Sequence, residues 1–535
     1  GDVLSSESFH KYNIKAFPSL DKVFPEDMGV PLPDAEWIYD QNLQQILLPK
    51  EEIGSIVPTP SEQSAYGQNL SLTEGLVIHF GQGLDREADF LAQRLKPLMG
   101  FSPEIKAGTP SDLNTISLLV SDQKGKLEKE AYILDAHPEK GVSIEGGSAA
   151  GVFYGIQSLL SMLPVEAWAE AQSSLVVNAV RLEDKPAFAY RGMHLDIARN
   201  FIEAEAIKKL IRVMGFYKLN KLHLHITDDE GWRLEIPSLP ELTEIGSVRG
   251  HTVDNKDRNI PAYGSGPAPV PGQGFGSGHL SRETFIEILK LADKHHIEVI
   301  PEINFPGHAR AAIYAMEVRY DRLMEEGKQA EAEKFRLLDP RDKSLYNSAQ
   351  NFNDNVVNVC LEAPYLFYET VVDDIMVMSE EAGLKMRVMH AGGDEVPAGS
   401  WMASPVCEAF MKEHPDITGT VNMQAYCEGR LYEILEKKDL VMAGWEEIAM
   451  KKNEEGVWIP NPDFLDKSML PYVWNNLGTN LDLGNRLANT GFPVILCNAT
   501  SLYFDFGYNH HPAEPGHYWG GLVNTRRVFE FVPYD

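Results

Sequence analysis

Hydrophobic and polar positions keep two different rhythms along the chain, and the change falls near Pro186. Residues 1–34, rich in Ser, Lys and Phe, hold no sustained period and predict a loosely structured lead-in. From 35 to 186 short strands mix with two helices. Val77–Phe80 and Thr115–Val120 are apolar runs of strand length, Arg86–Leu98 carries an amphipathic stripe, and Ala131–Leu134 with Val142–Glu145 resemble a hairpin. Ala149, Val152, Phe153, Ile156, Leu159 and Leu160 recur at helical spacing, which predicts a helix over 148–163 packed on that sheet. The stretch 35–186 is therefore expected to be a small α+β domain with a structural or docking role rather than a chemical one.

After Pro186 the pattern becomes strand, loop, helix, repeated. Strands are expected at Tyr190–Ile197, Lys221–Thr227, Glu298–Ile303, Met386–His390, Leu440–Trp445, Met469–Trp474 and Val494–Asn498. Helices are expected at Glu203–Tyr217, at Arg282–His295 with Ser281 as N-cap, at Asp321–Leu337 as a charged insertion, and at Leu366–Ala382 and Gln424–Lys437. A Pro/Gly-rich connection runs from Pro261 to Gly278. Repeated β and α units imply a parallel sheet covered on both faces, and this many in succession predict an α/β fold of the (β/α)8 TIM-barrel type over 187–535. No eighth strand follows Val494–Asn498, so the barrel is expected to be incomplete at its C-terminal side.

Composition narrows the partners. The chain has 535 residues, 43% of them hydrophobic, and a formal charge of -30, which repels nucleic-acid backbones and anionic membrane surfaces. It holds no apolar run long enough to insert in a membrane. Cys360, Cys407, Cys427 and Cys497 are scattered without a Cys-x-x-Cys pair, so neither a zinc site nor a disulfide framework is indicated. The opening residues lack a basic, apolar-cored leader, which leaves a cytoplasmic protein or one whose signal has been removed.

Chemistry gathers where the expected strands stop, which is where barrel enzymes carry their working residues. The successive strands lead to Arg199, to Asp228, Asp229 and Trp232, to Glu302, Asn304 and His308, to Asp394 and Glu395, to Trp445 and Glu446, to Trp474, and to Tyr503 and Asp505. Taken singly each has a bland reading: a helix-entry arginine, capping acids, a satisfied core histidine, core tryptophans, a strand-ending tyrosine. Asp394 and Glu395 follow Gly392-Gly393, and the glycines permit the turn that lets adjacent carboxylates share one pocket. An acidic helix start would explain an isolated Gly-Gly-Asp-Glu equally well. Carboxylates, an arginine fork and several tryptophans suit sugar chemistry, with aromatic faces stacking on the ring and a protonated acid driving leaving-group departure. His223-x-His225 raises zinc as an alternative, without an evident third ligand; neither metal nor cofactor is expected.

Several segments resemble glycoside hydrolase family 20, the β-N-acetylhexosaminidases. They are Tyr190-Arg-Gly-Met-His-Leu-Asp-Ile-Ala-Arg199, Lys218 to Arg233, Glu298 to Ala309, His390-Ala-Gly-Gly-Asp394-Glu395-Val, Gly444-Trp445-Glu-Glu, and Glu514-Pro-Gly-His-Tyr-Trp-Gly-Gly521, spanning roughly 187–521. The α+β stretch resembles the non-catalytic domain that precedes the barrel in this family.

The resemblance implies an exo-acting, retaining hydrolase that removes terminal N-acetylglucosamine or N-acetylgalactosamine from glycans. Its nucleophile is the substrate's own 2-acetamido oxygen, acting through an oxazolinium intermediate, so the family departs from the two-carboxylate scheme. By position, Glu395 is implied as general acid and then base, and Asp394 as the acceptor that orients the acetamido N–H. Tyr503 is implied to donate to the acetamido oxygen, Trp445 and Trp474 to wall its pocket, Arg199 and Asp505 to bind hydroxyls, and Asp228 with His308 to form a relay behind Glu395. Asn304 stands where many members carry Asp. The missing eighth strand usually brings a further tryptophan, so weakened activity is expected of this chain alone. A disaccharide-releasing hydrolase and a sugar-binding protein without turnover are the competing readings. The family's habit places the chain outside the cell or in the periplasm; oligomeric state is left open.

Overall fold

The structure is a computed structural model, and it describes residues 35–43, 46, 48–49, 53–54, 56–108, 112–121, 127–269, 275–453, 456–511 and 514–533. The lead-in expected at 1–34 and part of the Pro/Gly-rich connection, 270–274, lie outside the described residues. The chain divides into two compact units. One comprises Gly54–Tyr472 and Arg486–Ile495; the other comprises Gly1–Ile53, Val473–Asn485 and Leu496–Asp535.

The first sheet is built from β1 (Glu62–Thr73), β2 (Val77–Phe80), β3 (Glu104–Ala107), β4 (Thr115–Val120), β5 (Tyr132–His137), β6 (Gly141–Gly146) and β7 (Ser174–Asp184), in the order β1-β7-β5-β6-β4-β2-β3. Helices Asp85–Met99 and Ala149–Ser161 lay their apolar stripes on it. Phe90, Leu91, Leu95, Val152, Phe153 and Ile156 share one core with Ile78, Ile116, Leu118, Leu134 and Ile144. The expected strands and both helices are present within a few residues. The antiparallel pair β1 and β7 was not anticipated, because β1 is exposed over most of its length and lacks the alternation that betrays a half-buried strand.

Beyond residue 186 come β8 (Gly192–Asp196), β9 (Lys221–His225), the short antiparallel pair β10 (Thr227–Asp228) and β11 (Gly231–Trp232), β12 (Glu298–Glu302), β13 (Val388–His390), β14 (Val441–Trp445), a second antiparallel pair β15 (Met450–Lys452) and β16 (Trp458–Pro460), β17 (Met469–Val473) and β18 (Ile495–Leu496). The second large sheet runs β18-β17-β14-β13-β12-β9-β8. From β8 to β17 every neighbouring pair is parallel. Helices Ala204–Phe216, Arg282–Lys294, Ala363–Glu381 and Thr420–Lys437 occupy the connections, and the Ser281 side chain caps the second by accepting from Thr284 N. Among the described residues no strand follows β18.

One expectation is corrected, and one open point is filled. The insertion is not one helix over 321–337 but a helix at Arg310–Glu325 and a short one at Gln329–Glu333. Ala311, Ala312, Ile313, Ala315 and Met316 bury the first, and Gly327 leaves it with φ +73°, a conformation that breaks helical continuity. The cysteines, whose spacing indicates no disulfide framework, include one bridge between Cys360 and Cys407, Cα atoms 5.4 Å apart, while Cys427 is free and buried. The bridged pair lie 47 positions apart, a distance that no short spacing motif could signal. No described helix is long and apolar enough to cross a membrane.

Candidate active site

The carboxyl ends of β8, β9, β12, β13 and β14 deliver one continuous polar cluster inside the first unit. At the end of β13 the chain passes through Gly392 at φ +71° and Gly393 at φ +95°, then Asp394, then Glu395, itself left-handed at φ +50°. A side chain at Gly392 would meet Asn304 Oδ1 at 2.3 Å and one at Gly393 would meet Ile448 Cγ2 at 2.6 Å, so both positions demand glycine for space as well as conformation. The turn is gripped from outside. Trp445 N donates to Gly392 O at 2.9 Å, the Gln424 amide to Gly393 O at 2.7 Å, and Glu395 N to Glu447 Oε1 at 3.4 Å.

His308 stands between the two acids and a second carboxylate layer. Its Nε2 lies 3.3 Å from Glu395 Oε2 and 3.6 Å from Asp394 Oδ2, and its Nδ1 lies 3.2 Å from Asp228 Oδ1 and 3.3 Å from Asp229 Oδ2. Burial disfavours the imidazolium, but Asp228 and Asp394 overcome it and hold His308 well above its ordinary value. Asp228 is buried too, yet Arg199 and His308 keep it well below the carboxylate range. Arg199 reaches Asp228 Oδ2 at 2.8 Å, Asp196 Oδ2 at 2.9 Å and Glu230 Oε2 at 3.3 Å. Burial, then the neighbouring Asp228, push the Glu230 carboxyl up to about 8.

The acids themselves part company. Desolvation lifts Asp394 to about 7 against the pull of His308, with the neighbouring Glu395 charge adding to the rise. Glu395, also desolvated, is held below its ordinary value by the His308 hydrogen bond, helped by the Gln350 amide at 3.1 Å. Burial thus favours the neutral Asp394 carboxyl, while the imidazole that touches both acids favours the Glu395 carboxylate.

A separate buried layer lies beneath. Glu302, with no exposed side chain, faces His223 Nε2 at 2.7 Å, His225 Nδ1 at 2.9 Å and His390 Nδ1 at 3.3 Å, and its Oε1 accepts from the Trp445 indole at 2.9 Å. Here are the third and fourth partners that the His223-x-His225 pattern lacked. Atoms of His223, Glu302 and His390 all fall within 4.8 Å of one another. The 2.7 Å contact is shorter than the roughly 3.3 Å between two ligands of one tetrahedral zinc, and the layer is a collar of imidazoles around one carboxylate, hydrogen-bonded to it through His225 Nδ1.

Of the expected residues, Arg199, Asp228, His308, Asp394 and Glu395 are thus joined by direct contacts, and Trp445 connects to Asp228 through Glu302 and His225. Trp474, Tyr503 and Asp505 belong to the other unit. There Trp474 and Tyr503 meet the exposed ring of Trp519 edge-on at 5.8 and 5.9 Å, and Asp505 is exposed at the surface. Asn304, the departure from the family pattern, donates its amide to Asp228 Oδ2 at 2.9 Å, where an aspartate would add another carboxylate. The sequence reading missed Gln350 and Asn355, which reach Glu395 and Asp229 from the segment after Leu337. It also passed over Gln424 and Glu447, which no local motif marks.

Parallel strands alternating with helices, with acids, imidazole and arginine at the strands' carboxyl ends, define the barrel-type class of catalytic scaffold. Residues 188–535 match the family model for the glycosyl hydrolase family 20 catalytic domain, and 54–185 the model for domain 2 of the same family. The chain belongs to glycosyl hydrolase family 20. It is 34% identical over 482 residues to a beta-hexosaminidase of Vibrio vulnificus, covering 89% of this chain and 54% of that protein. It is 34% identical over 533 residues to beta-hexosaminidase B of Pseudoalteromonas piscicida, covering 97% and 63%. The chain therefore spans little more than half to under two thirds of these relatives. Among solved structures, the exo beta-N-acetylglucosaminidase of Vibrio harveyi in complex with N-acetylglucosamine superposes with a TM-score of 0.73 at 29% identity, covering 90% of this chain and 66% of that one. The beta-N-acetylhexosaminidase of Streptomyces coelicolor gives 0.64 at 26%, covering 90% and 82%.

Proposed function

We propose that this chain hydrolyses terminal β-linked N-acetylhexosamine from glycans, with retention, using the substrate's acetamido oxygen as nucleophile. The observation that carries the reading is the Asp394–Glu395 pair on its glycine hinge with one imidazole reaching both acids. The acetamido N–H donates to Asp394, and the positive charge growing on the ring being formed favours the Asp394 carboxylate. His308 Nε2 gives its proton to Glu395 and takes the Asp394 proton in its place, and Glu395 protonates the glycosidic oxygen as the C1–O bond breaks. The acetamido oxygen closes on C1, giving the oxazolinium. Glu395, now a carboxylate, takes a proton from water, whose oxygen reopens the oxazolinium at C1. Arg199 binds ring hydroxyls, Asp228 keeps His308 charged, and Trp445 walls the acetamido pocket. The roles of Trp474, Tyr503 and Asp505, as pocket wall, donor to the acetamido oxygen and hydroxyl ligand, belong to the same proposal.

The Cys360–Cys407 bridge supports a working place in an oxidising compartment, outside the cell or in the periplasm. A panel of chromogenic glycosides tests the reaction: 2-acetamido sugars are expected to be cleaved and 2-hydroxy analogues to be inert. Equal turnover of both rejects substrate assistance. Glu395→Gln is expected to cost about 10²- to 10⁴-fold in kcat while sugar binding survives.

A further inference from the structure

Glu302 has no place in the chemistry above, yet its side chain is fully enclosed. Parallel register puts it level with His225 of β9 on one side and with His390 of β13 on the other. His223 adds its ring from two residues up β9 at 2.7 Å, and His194 of β8 lies 3.7 Å away. An ionised carboxylate in such a place is costly unless hydrogen-bonded and compensated. His225 compensates it, bonded through Nδ1 to Glu302 and through Nε2 to Asp228 at 2.8 Å. The other carboxylate oxygen, Oε1, lies 3.3 Å from His390 Nδ1 and accepts the Trp445 indole N–H at 2.9 Å.

Trp445 is only 6% exposed, so its N–H needs a protein acceptor. The same residue begins the turn that carries Glu447 to Glu395 N and donates its own N–H to Gly392 O. The indole therefore fixes both the pocket wall and one grip on the acid-bearing hinge. We propose that Glu302 is a positioning residue: its buried carboxylate, held by the histidine collar, pins the Trp445 indole and thereby sets the shape of the acetamido pocket. The inference rests on the reading of Trp445 as the pocket wall. A charge-assisted bond at a fully enclosed site is the stronger kind, and no other acceptor is recorded for that indole nitrogen among the described residues.

A double-mutant cycle decides it, run on the whole chain with an aryl N-acetylglucosaminide and its N-propionyl analogue, alongside the indole N–H resonances of ¹⁵N-tryptophan protein. Glu302→Leu is expected to lower kcat/KM about 100-fold, to blur the preference for acetyl over propionyl, and to shift the Trp445 indole resonance. In a Trp445→Phe background the same change is expected to cost no more than about threefold. Glu302→Gln, which keeps an acceptor, is expected to recover most of the loss and to serve as the folded comparison should the leucine variant not fold. An equal loss in both backgrounds, an unmoved Trp445 resonance, or a glutamine variant as impaired as the leucine one overturns the proposal. A Trp445→Phe variant with unchanged acyl preference overturns the pocket reading instead, and the indole resonance still reports whether Glu302 holds the ring.

Discussion

Nε2 of His308 stands 3.3 Å from Oε2 of Glu395, and the contact governs how readily that acid holds a proton. The imidazole is kept charged by Asp228 and Asp394 despite its burial, and its charge holds Glu395 low. In the proposed reaction the Asp394–Glu395 pair holds the proton that goes to the glycosidic oxygen, so activity is expected to fall as rising pH strips that proton from the pair. Replacing His308 by Gln removes the cation and lets both Glu395 and Asp394 rise. The alkaline limb of kcat/KM is therefore expected to move to higher pH while the plateau drops about 10²- to 10³-fold. A pH–rate profile of the variant checks both; a limb that stays or moves down contradicts the account.

Asp394 supplies a second titration, visible without substrate. Burial raises its carboxyl to about 7, against roughly 3.9 in an unfolded chain. The folded state thus binds the proton more tightly. The stability this contributes is fully present below the unfolded value and is lost progressively as pH climbs to about 7, above which the curve is flat. Asp394→Asn carries no such proton. Its stability relative to the native chain is expected to rise between pH 4 and pH 8, by on the order of 1 kcal/mol or more, while hydrolysis of 2-acetamido substrates collapses. Thermal unfolding of both proteins at the two pH values measures it.

Strand ends were legible in the sequence because each apolar run from β8 to β17 stops at a charged or aromatic residue, and parallel strands buried on both faces leave little else polar to confuse the reading. His223 and His225 were visible as the polar face of β9. What they face was not, because Glu302 and His390 arrive from strands about 80 and 165 positions further along, and only register brings them level. Gln350 and Asn355 were hidden for the same reason, lying in an irregular segment whose course no periodicity describes. The helix Arg310–Glu325 was displaced in the reading because it begins directly after His308 with no capping side chain to announce it. Sequence thus exposed the residues that end elements and concealed those that tertiary contacts recruit.

The glycine hinge makes a prediction about geometry rather than charge. A Cβ at Gly392 would lie 2.9 Å from the Asn304 Cα, a backbone atom that cannot step aside as a side-chain tip can. The φ of +71° adds conformational strain of order 1 kcal/mol for any L side chain. Gly392→Ala is expected to lower stability by about 2 kcal/mol or more and activity by at least about 100-fold, because Asp394 and Glu395 follow only two and three residues on. Denaturant unfolding and kcat/KM report the two effects separately. Gly67, also left-handed at φ +71° but with nothing within 4 Å of its missing Cβ, provides the contrast: Gly67→Ala bears only the conformational cost and is expected to leave activity unchanged.

The Cys360–Cys407 bridge closes a loop that includes Trp401 and the helix Ala363–Glu381, and it anchors the end of the segment that carries Gln350 and Asn355. With its ends 47 positions apart in sequence, loop-closure entropy predicts a stabilisation of roughly 2–4 kcal/mol. The segment is also tied by the Trp401 indole to Val357 O at 2.8 Å and by Val357 N to Pro306 O at 3.0 Å, bonds that survive reduction. Paired Cys360→Ser and Cys407→Ser changes are therefore expected to lower the unfolding midpoint while leaving kcat near its native value below that midpoint. The same shift should follow from mild reduction of the native chain, and the double variant should then be insensitive to reductant. If kcat falls with the midpoint, the bridge holds Gln350 at Glu395 as well as holding the fold.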